Sequence, residues 1–476
     1  MKMSFKVGMS LALSAWLAAS LGCRTVGPDY HGPPQSAVVN APAAQRPFVS
    51  ASGPAFSPEP APGAWWRLYD SPQLDELVSA TLAANTELRQ ARANLERSQV
   101  LLRQAKVARE PVAGVNFDPS YQQFSPESYL HPGTLPTFGF YDTGVSVSYD
   151  LDLFGRLRRG VEAATAEDEA VRAAYDLVKV NVAAETARAY ADVCDAGEEL
   201  EVARHSLQLQ VQSTQTTKNL FEAGRASSLD YTRSSGQVAQ IEAKIPALEA
   251  QRTNALYRLA ALMAKPPAEY PKAVESCAQA PRLPRPIPVG DGTALLRRRP
   301  DVREAERELA AATARIGVVT ADLYPDVSLG ASVGSTGVID DFLSTPTNRF
   351  GIGLAIHWQA NQNLARARIA EASAAAKGTL ARFDGVVLAA LRDTESALTT
   401  YSRDLQRDRD LATAQVREKQ AEEQAKSLYV GGKIDFLSFL DAQRTRTSAD
   451  EALADSHARL ATDQVTIFLT LGGGWE

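Results

Sequence analysis

Leu220-Phe221-Glu222-Ala223-Gly224-Arg225 returns in altered form as Leu428-Tyr429-Val430-Gly431-Gly432-Lys433, 208 positions later, and Leu229 returns as Leu437. Upstream, Asn85-Thr86-Glu87-Leu88 and Pro111 are answered by Arg299-Pro300-Asp301-Val302 and Pro325, 214 positions later. The slip between the two offsets places a length change between the prolines and the later match. A duplication this long repeats a whole architectural unit, larger than the short periods of solenoids. A long helical unit used twice suits the wall of a symmetric tube better than an enzyme pocket.

Around each of these turns lies a long stretch without proline. Residues 156 to 222, and again about 365 to 430, carry no proline and only scattered glycine. Each would extend about 100 Å if fully helical. Val193, Leu200 and Leu207 fall seven apart, as do Leu391, Leu398 and Leu405, with Val387 and Tyr401 at intervening positions. Seven-residue spacing makes coiled-coil seams. Gly224 and Gly431-Gly432 fit helix C-caps at which the chain reverses. A second long helix then returns toward about residue 264 or 471. Pro266-Pro267 ends the first return, and a proline-rich stretch links the repeats as far as about 292.

Between Pro111 and the first long helix the period changes. Val145, Val147 and Tyr149 alternate with Ser146 and Ser148, which is a strand with one apolar and one polar face. Val112 to Phe124 is its partner across a loop holding Pro126, Pro132, Gly133 and Pro136. The second repeat copies the hairpin, with Val327, Leu329, Ala331 and Val333 alternating, then Phe350, Ile352, Leu354 and Ile356. Four strands are expected in all. They cannot close a membrane barrel alone, since the smallest single-chain barrels have eight strands; three copies supply twelve. A single helix from about 72 to 108 is expected ahead of the first hairpin, ended by Pro111.

At the start, Lys2 and Lys6 precede an apolar stretch from Val7 to Ala19, then Leu21-Gly22-Cys23. That pattern is a signal peptide over 1–22. Cys23 after Gly22 resembles a bacterial lipobox whose thiol is acylated, although Ser20 stands where leucine is usual. Arg24 after the cysteine suits outer-membrane sorting. Residues 23–62, rich in Pro, Ala, Ser and Gly, read as a tether. The remaining divisions are repeat 1 over 63–264, a linker over 265–292 and repeat 2 over 293–476. Past residue 22 no apolar run reaches the ~18–20 residues of a transmembrane helix. A membrane crossing must therefore be a closed barrel.

The formal charge of −6 becomes −8 without the signal peptide, and no basic stripe occurs, which argues against nucleic acid. The five histidines are scattered, and neither a phosphate-cradling loop nor metal-spaced ligands appear. We therefore expect no catalytic residues, no metal and no cofactor. Cys194 and Cys277 are either a disulfide or two buried thiols.

Val26-Gly27-Pro28-Asp29-Tyr30, Trp65-Trp66, Asp150-Leu151-Asp152-Leu153-Phe154-Gly155-Arg156, Arg297-Arg298-Arg299-Pro300-Asp301, Leu437-Ser438-Phe439-Leu440-Asp441-Ala442-Gln443-Arg444 and Leu471-Gly472-Gly473-Gly474-Trp475 together resemble the NodT-type outer-membrane efflux lipoproteins, relatives of TolC and OprM. The resemblance spans essentially the whole mature chain. It implies a mostly α protein with a β-barrel: a homotrimer forming a 12-stranded barrel in outer-membrane lipid and a 12-helix barrel in the periplasm. It also implies an equatorial belt, built here from the linker and the chain ends. The implied role is the duct of a tripartite pump, docked through the hairpin tips at Gly224, Gly431 and Gly432 to a periplasmic membrane-fusion adaptor and fed by an inner-membrane RND-type pump.

The same resemblance implies a periplasmic gate at Leu437, Asp441 and Arg444, with Asp230 and Tyr429 linking tip helices. Spacings of four and three place Leu437, Asp441 and Arg444 on one helix face. A second acid of the gate ring is replaced by Ser438. Phe154-Gly155-Arg156 is matched by Gln362-Asn363-Leu364, where Asn is expected to take the left-handed backbone. A duct for protein secretion and a helical adhesin are the competing readings. The adhesin leaves the four amphipathic strands without a use.

Overall fold

The computed structural model describes residues 25–32, 36–129 and 132–475. Cys23, the expected acylation site, lies outside the described residues. The chain divides into two compact units, and neither coincides with a sequence repeat. Each takes segments from both repeats, because strands and helices of one repeat pair with those of the other.

The first unit comprises Met1–Pro34, Leu95–Val171 and Ala305–Phe383. Its sheet has four antiparallel strands, β2 (Val112–Gln122), β3 (Phe138–Asp150), β5 (Asp326–Val338) and β6 (Asn348–His357), in the order β2-β3-β5-β6. The pleat sorts the expected alternation onto faces. Val115, Val145, Val333 and Phe350 stand in register as one row, and all four are exposed. Ile352, Leu354 and Ile356 extend that bare apolar face along β6. Gly144 and Gly334 face each other across β3 and β5, where a Cβ on Gly334 would sit 2.3 Å from the Thr143 carbonyl oxygen. Near it, the buried Tyr141 hydroxyl meets Ser335 Oγ at 2.7 Å and Thr347 Oγ1 at 3.0 Å.

The Val26–Tyr30 motif is bound by this unit. Arg159, 3% exposed, donates through Nε to the Val26 carbonyl and through one Nη to the Gly27 carbonyl and to Asp29 Oδ1, at 3.0, 3.2 and 2.6 Å. Tyr30 donates to Glu306 at 3.3 Å and lies under the Arg307 guanidinium. Gly27, at φ 89°, leaves no room for a Cβ against Gly317.

The second unit comprises Gln35–Asn94, Arg172–Glu304 and Asp384–Glu476. Its core gathers Trp65, Leu77, Val193, Leu259, Leu398 and Phe468, with Trp65 stacked on Phe468 at 4.8 Å. Val193, Leu200, Val387, Leu398 and Tyr401 of the expected seams are buried, whereas Leu207, Leu391 and Leu405 are half-buried. The sulfurs of Cys194 and Cys277 form a disulfide, tying the proline-rich linker to a long helix. Gly197 lets the linker approach, since a Cβ there would lie 2.1 Å from the Cys277 carbonyl oxygen.

Several elements differ from expectation. Two further strands of two residues each, β1 (Phe56–Ser57) and β4 (Ile287–Pro288), pair in parallel and join tether to linker, so the described residues hold six strands rather than four. The helix expected over 72–108 is two, α1 (Pro72–Ala84) and α2 (Thr86–Val107). Asn85 separates them: it caps the end of α1, and its Oδ1 accepts from the amides of Glu87 and Leu88. The long helices are α3 (Arg156–Glu222) and, after α6 (Gly292–Arg298) and α7 (Pro300–Ala321), α8 (Asn363–Val430). The first return is broken into α4 (Ser228–Glu242) and α5 (Ile245–Leu262), because Pro246 cannot continue a ladder from the preceding turn. The second return, α9 (Phe436–Thr470), is unbroken. Asn363 is the first residue of α8 and has no left-handed backbone; Asn361 Oδ1 accepts its amide instead. Gly155, by contrast, is left-handed at φ 80°.

Candidate functional site: the turns of the helical hairpins

Both turns close with the same hydrogen bonds. Gly224, at φ 71°, donates to the Phe221 carbonyl at 2.9 Å while Arg225 donates to that of Leu220 at 2.8 Å. Gly432, at φ 70°, donates to Tyr429 at 2.9 Å while Lys433 donates to Leu428 at 2.8 Å. This pairing is the Schellman motif, which needs a left-handed residue at the turn. Gly431 stays out of that region, so Gly432 alone matches Gly224.

The caps that restart the helices differ. Ser227 and Asp230 make a reciprocal capping box at 3.1 and 3.0 Å. Asp435 alone caps α9, accepting from Ser438 N at 2.9 Å, and the Ser438 hydroxyl, helped by that amide, holds its carboxyl below the usual range. Asp230 is thus engaged within its own helix.

Helix α9 has two faces here. Phe436, Phe439 and Leu440 are buried together against Ala425, Tyr429 and Ile434. Tyr429 stacks on Phe439 at 5.2 Å, and its hydroxyl is buried without a hydrogen-bond partner. Burial raises that hydroxyl's pKa, the nearby Thr217 hydroxyl opposes the shift, and the charge of Asp230 adds to it. Leu437, Asp441 and Arg444 lie on the other, exposed face. Arg444 Nε donates to Gln237 Oε1 on α4 at 2.9 Å, and no ion pair joins it to Asp441.

Behind the turns is a polar layer that sequence reasoning missed. Ser213 donates to the buried Gln443 at 3.3 Å, and Ser234 joins Thr214 at 2.6 Å and Gln210 at 3.2 Å. Arg446 pairs with Glu422 at 2.9 Å and Asp450 at 3.6 Å, all nearly buried. The signal was present in Gln443, which falls on the face of Phe436, Phe439 and Leu440. Such a layer ties the helices together through side-chain hydrogen bonds and ion pairs. Among the described residues no cluster of three or more His, Cys, Asp or Glu could hold a metal, and no helix is long and apolar enough to cross a membrane.

A family model described as outer membrane efflux protein matches residues 77–265 and 293–473, the two repeats in turn. The chain belongs to the outer membrane efflux protein family. It is similar to Nodulation protein T of Rhizobium leguminosarum bv. viciae, at 27% identity over 97% of this chain and 93% of that one. It is similar to the antibiotic efflux pump outer membrane protein ArpC of Pseudomonas putida, at 29% identity over 98% and 95%. The solved outer-membrane channel OprN superposes with a TM-score of 0.88 and 33% identity, over 95% of this chain and all of that one. As an outer membrane efflux protein, this chain is an outer-membrane efflux channel component.

Proposed function

We propose that three copies assemble into one duct, a 12-stranded barrel in the outer membrane continued by a 12-helix barrel in the periplasm. The observation that carries this is the sheet. Four long strands present a bare apolar face and leave β2 and β6 as unpaired edges. In lipid every backbone group must be satisfied, so those edges require further strands. Copies of the same sheet supply them, and twelve is within the range of closed outer-membrane barrels.

The duct is anchored by acylated Cys23, with Arg159 gripping the residues just beyond it. It passes small molecules, as the antibiotic efflux pump of ArpC does, delivered by an inner-membrane RND-type pump through a periplasmic adaptor. The turns at Gly224 and Gly432 meet the adaptor. The exposed row Leu437, Asp441 and Arg444 forms the gate, and Arg444 with Gln237 is its latch. Repeated by three-fold symmetry, Asp441 becomes a ring of like charge across a narrow opening.

Light scattering on the detergent-purified protein tests the assembly. A mass of three processed chains is expected, each somewhat below the 51.2 kDa of the full sequence. A mass of one or two chains would refute the duct.

A further inference from the structure

Within the second unit, helices α3, α5, α8 and α9 line an open cavity of about 790 Å³ well away from the hairpin turns. Five carboxylates line it, from Asp192, Asp195, Glu199, Asp404 and Asp463, against the two arginines Arg258 and Arg459. Arg258 is paired with Asp192, and Arg459 is paired at 3.0 Å with Asp455. Asp195, Glu199, Asp404 and Asp463 are therefore without an ion-pair partner among the described residues. Asp195 is only 6% exposed, and its Oδ1 has no hydrogen-bond partner. Asp463 Oδ2 is likewise buried and unpartnered.

Carboxylates taken from water without a counter-charge are costly, so such groups either keep a proton or take up a cation. We propose that this cavity is a binding site for an organic polycation, whose separated ammonium groups engage Asp195 on one wall and Asp404 and Asp463 on the other. A single metal ion does not fit the pattern, because no three acidic or histidine groups converge closely enough to hold one among the described residues. The volume is that of a small-molecule site rather than of an ion. Gln251 and Asn254 on α5, Thr400 on α8 and Thr462 on α9 supply neutral hydrogen-bonding groups around the cavity.

The ionisation of these groups agrees. Burial pushes the Asp195 carboxyl up to about 8, helped by the negative charges of Asp192, Glu198 and Glu199 and opposed by Arg282. Burial, then the charge of Asp404 and a hydrogen bond with its carboxylate, raises Asp463, with Arg459 opposing. Near neutrality these groups hold protons that a bound cation displaces.

Titration calorimetry of the full chain in detergent at pH 7.5, with spermidine as the probe, tests this. Saturable binding with release of protons is expected, the release read from the dependence of the heat on buffer. Asp195→Asn combined with Asp463→Asn should weaken binding tenfold or more and abolish the proton release. Ala458→Phe leaves every carboxylate in place but fills the cavity, and should also weaken binding tenfold. Absence of saturable binding to the unaltered chain would overturn the proposal. So would unchanged affinity in both variants, or equal competition by magnesium chloride at matched charge.

Discussion

Arg444 on α9 donates to Gln237 on α4 at 2.9 Å, and so links the return helices of the two repeats. Asp441, one turn earlier, is left exposed without an ion pair among the described residues. Within one chain the second repeat's tip is therefore held by a neutral acceptor on the first. A hydrogen bond from a charged donor at an exposed site contributes about 1 kcal/mol. Loss of it shifts a two-state equilibrium about five-fold. Arg444→Ala and Gln237→Ala should each raise mean single-channel conductance in planar bilayers. The double variant should exceed neither single by much, since both remove one bond. Asp441→Ala should raise conductance as well, by removing the ring of like charge proposed for the assembled duct. Unchanged conductance in Arg444→Ala and Asp441→Ala would remove both residues from the gate.

Asp195 makes stability depend on pH in a stated direction. Its folded pKa of about 8 exceeds the ~3.9 of an unfolded aspartate. The folded chain then binds more protons than the unfolded chain between those values, so this group's contribution is complete below about pH 4 and is lost as pH rises toward 8. Asp192, Glu198, Glu199 and Arg282 are the charged groups that set it. Asp195→Asn should raise the melting temperature by several degrees at pH 8 and by much less at pH 5. An equal gain at both values would show that the carboxyl is ionised throughout.

The hairpins and the long helices were legible from period and proline placement. Strands expected over 112–124 and 138–149 are observed as Val112–Gln122 and Phe138–Asp150, and the long helices begin and end within a few residues of expectation. Local chemistry decides such elements: alternation makes a pleat, and Gly224 or Gly432 supplies the left-handed turn. Asn85 was not legible, because a single asparagine inside a helical pattern shows its double capping only once both helices are placed. Pro246 did carry a readable signal, which the surrounding helical pattern masked. The Arg444–Gln237 bond joins residues 207 apart and depends on how α4 and α9 pack, which no local pattern encodes. The two-residue pairing of β1 with β4 is equally non-local.

Removal of the disulfide by Cys194→Ser with Cys277→Ser should lower stability by about 3 kcal/mol, as expected for a link closing a long loop. Residues 271–289 should then become accessible to protease first, because Cys277 ties the linker to α3. Thermal melts and limited proteolysis together check this. A melting temperature equal to that of the oxidised parent would show that packing of Val274 and Ile287 suffices without the bond.

The anchor is tested by labelling. Cells grown with radioactive palmitate should label the unaltered chain, and Cys23→Ser should carry no label. Label persisting in the variant would place the acyl group elsewhere or rule out the lipobox.

The central claim is that β2 and β6 are open edges only within one chain and pair between neighbours in the membrane. Single cysteines at Asn116 on β2, combined with a cysteine scan from Asn348 to His357 on β6, test it in intact outer membranes. At one or two scan positions, mild oxidation should convert the monomer almost wholly into a covalent trimer, with no larger species. Absence of cross-linking at every position, or a ladder continuing past three chains, would contradict a closed three-chain barrel.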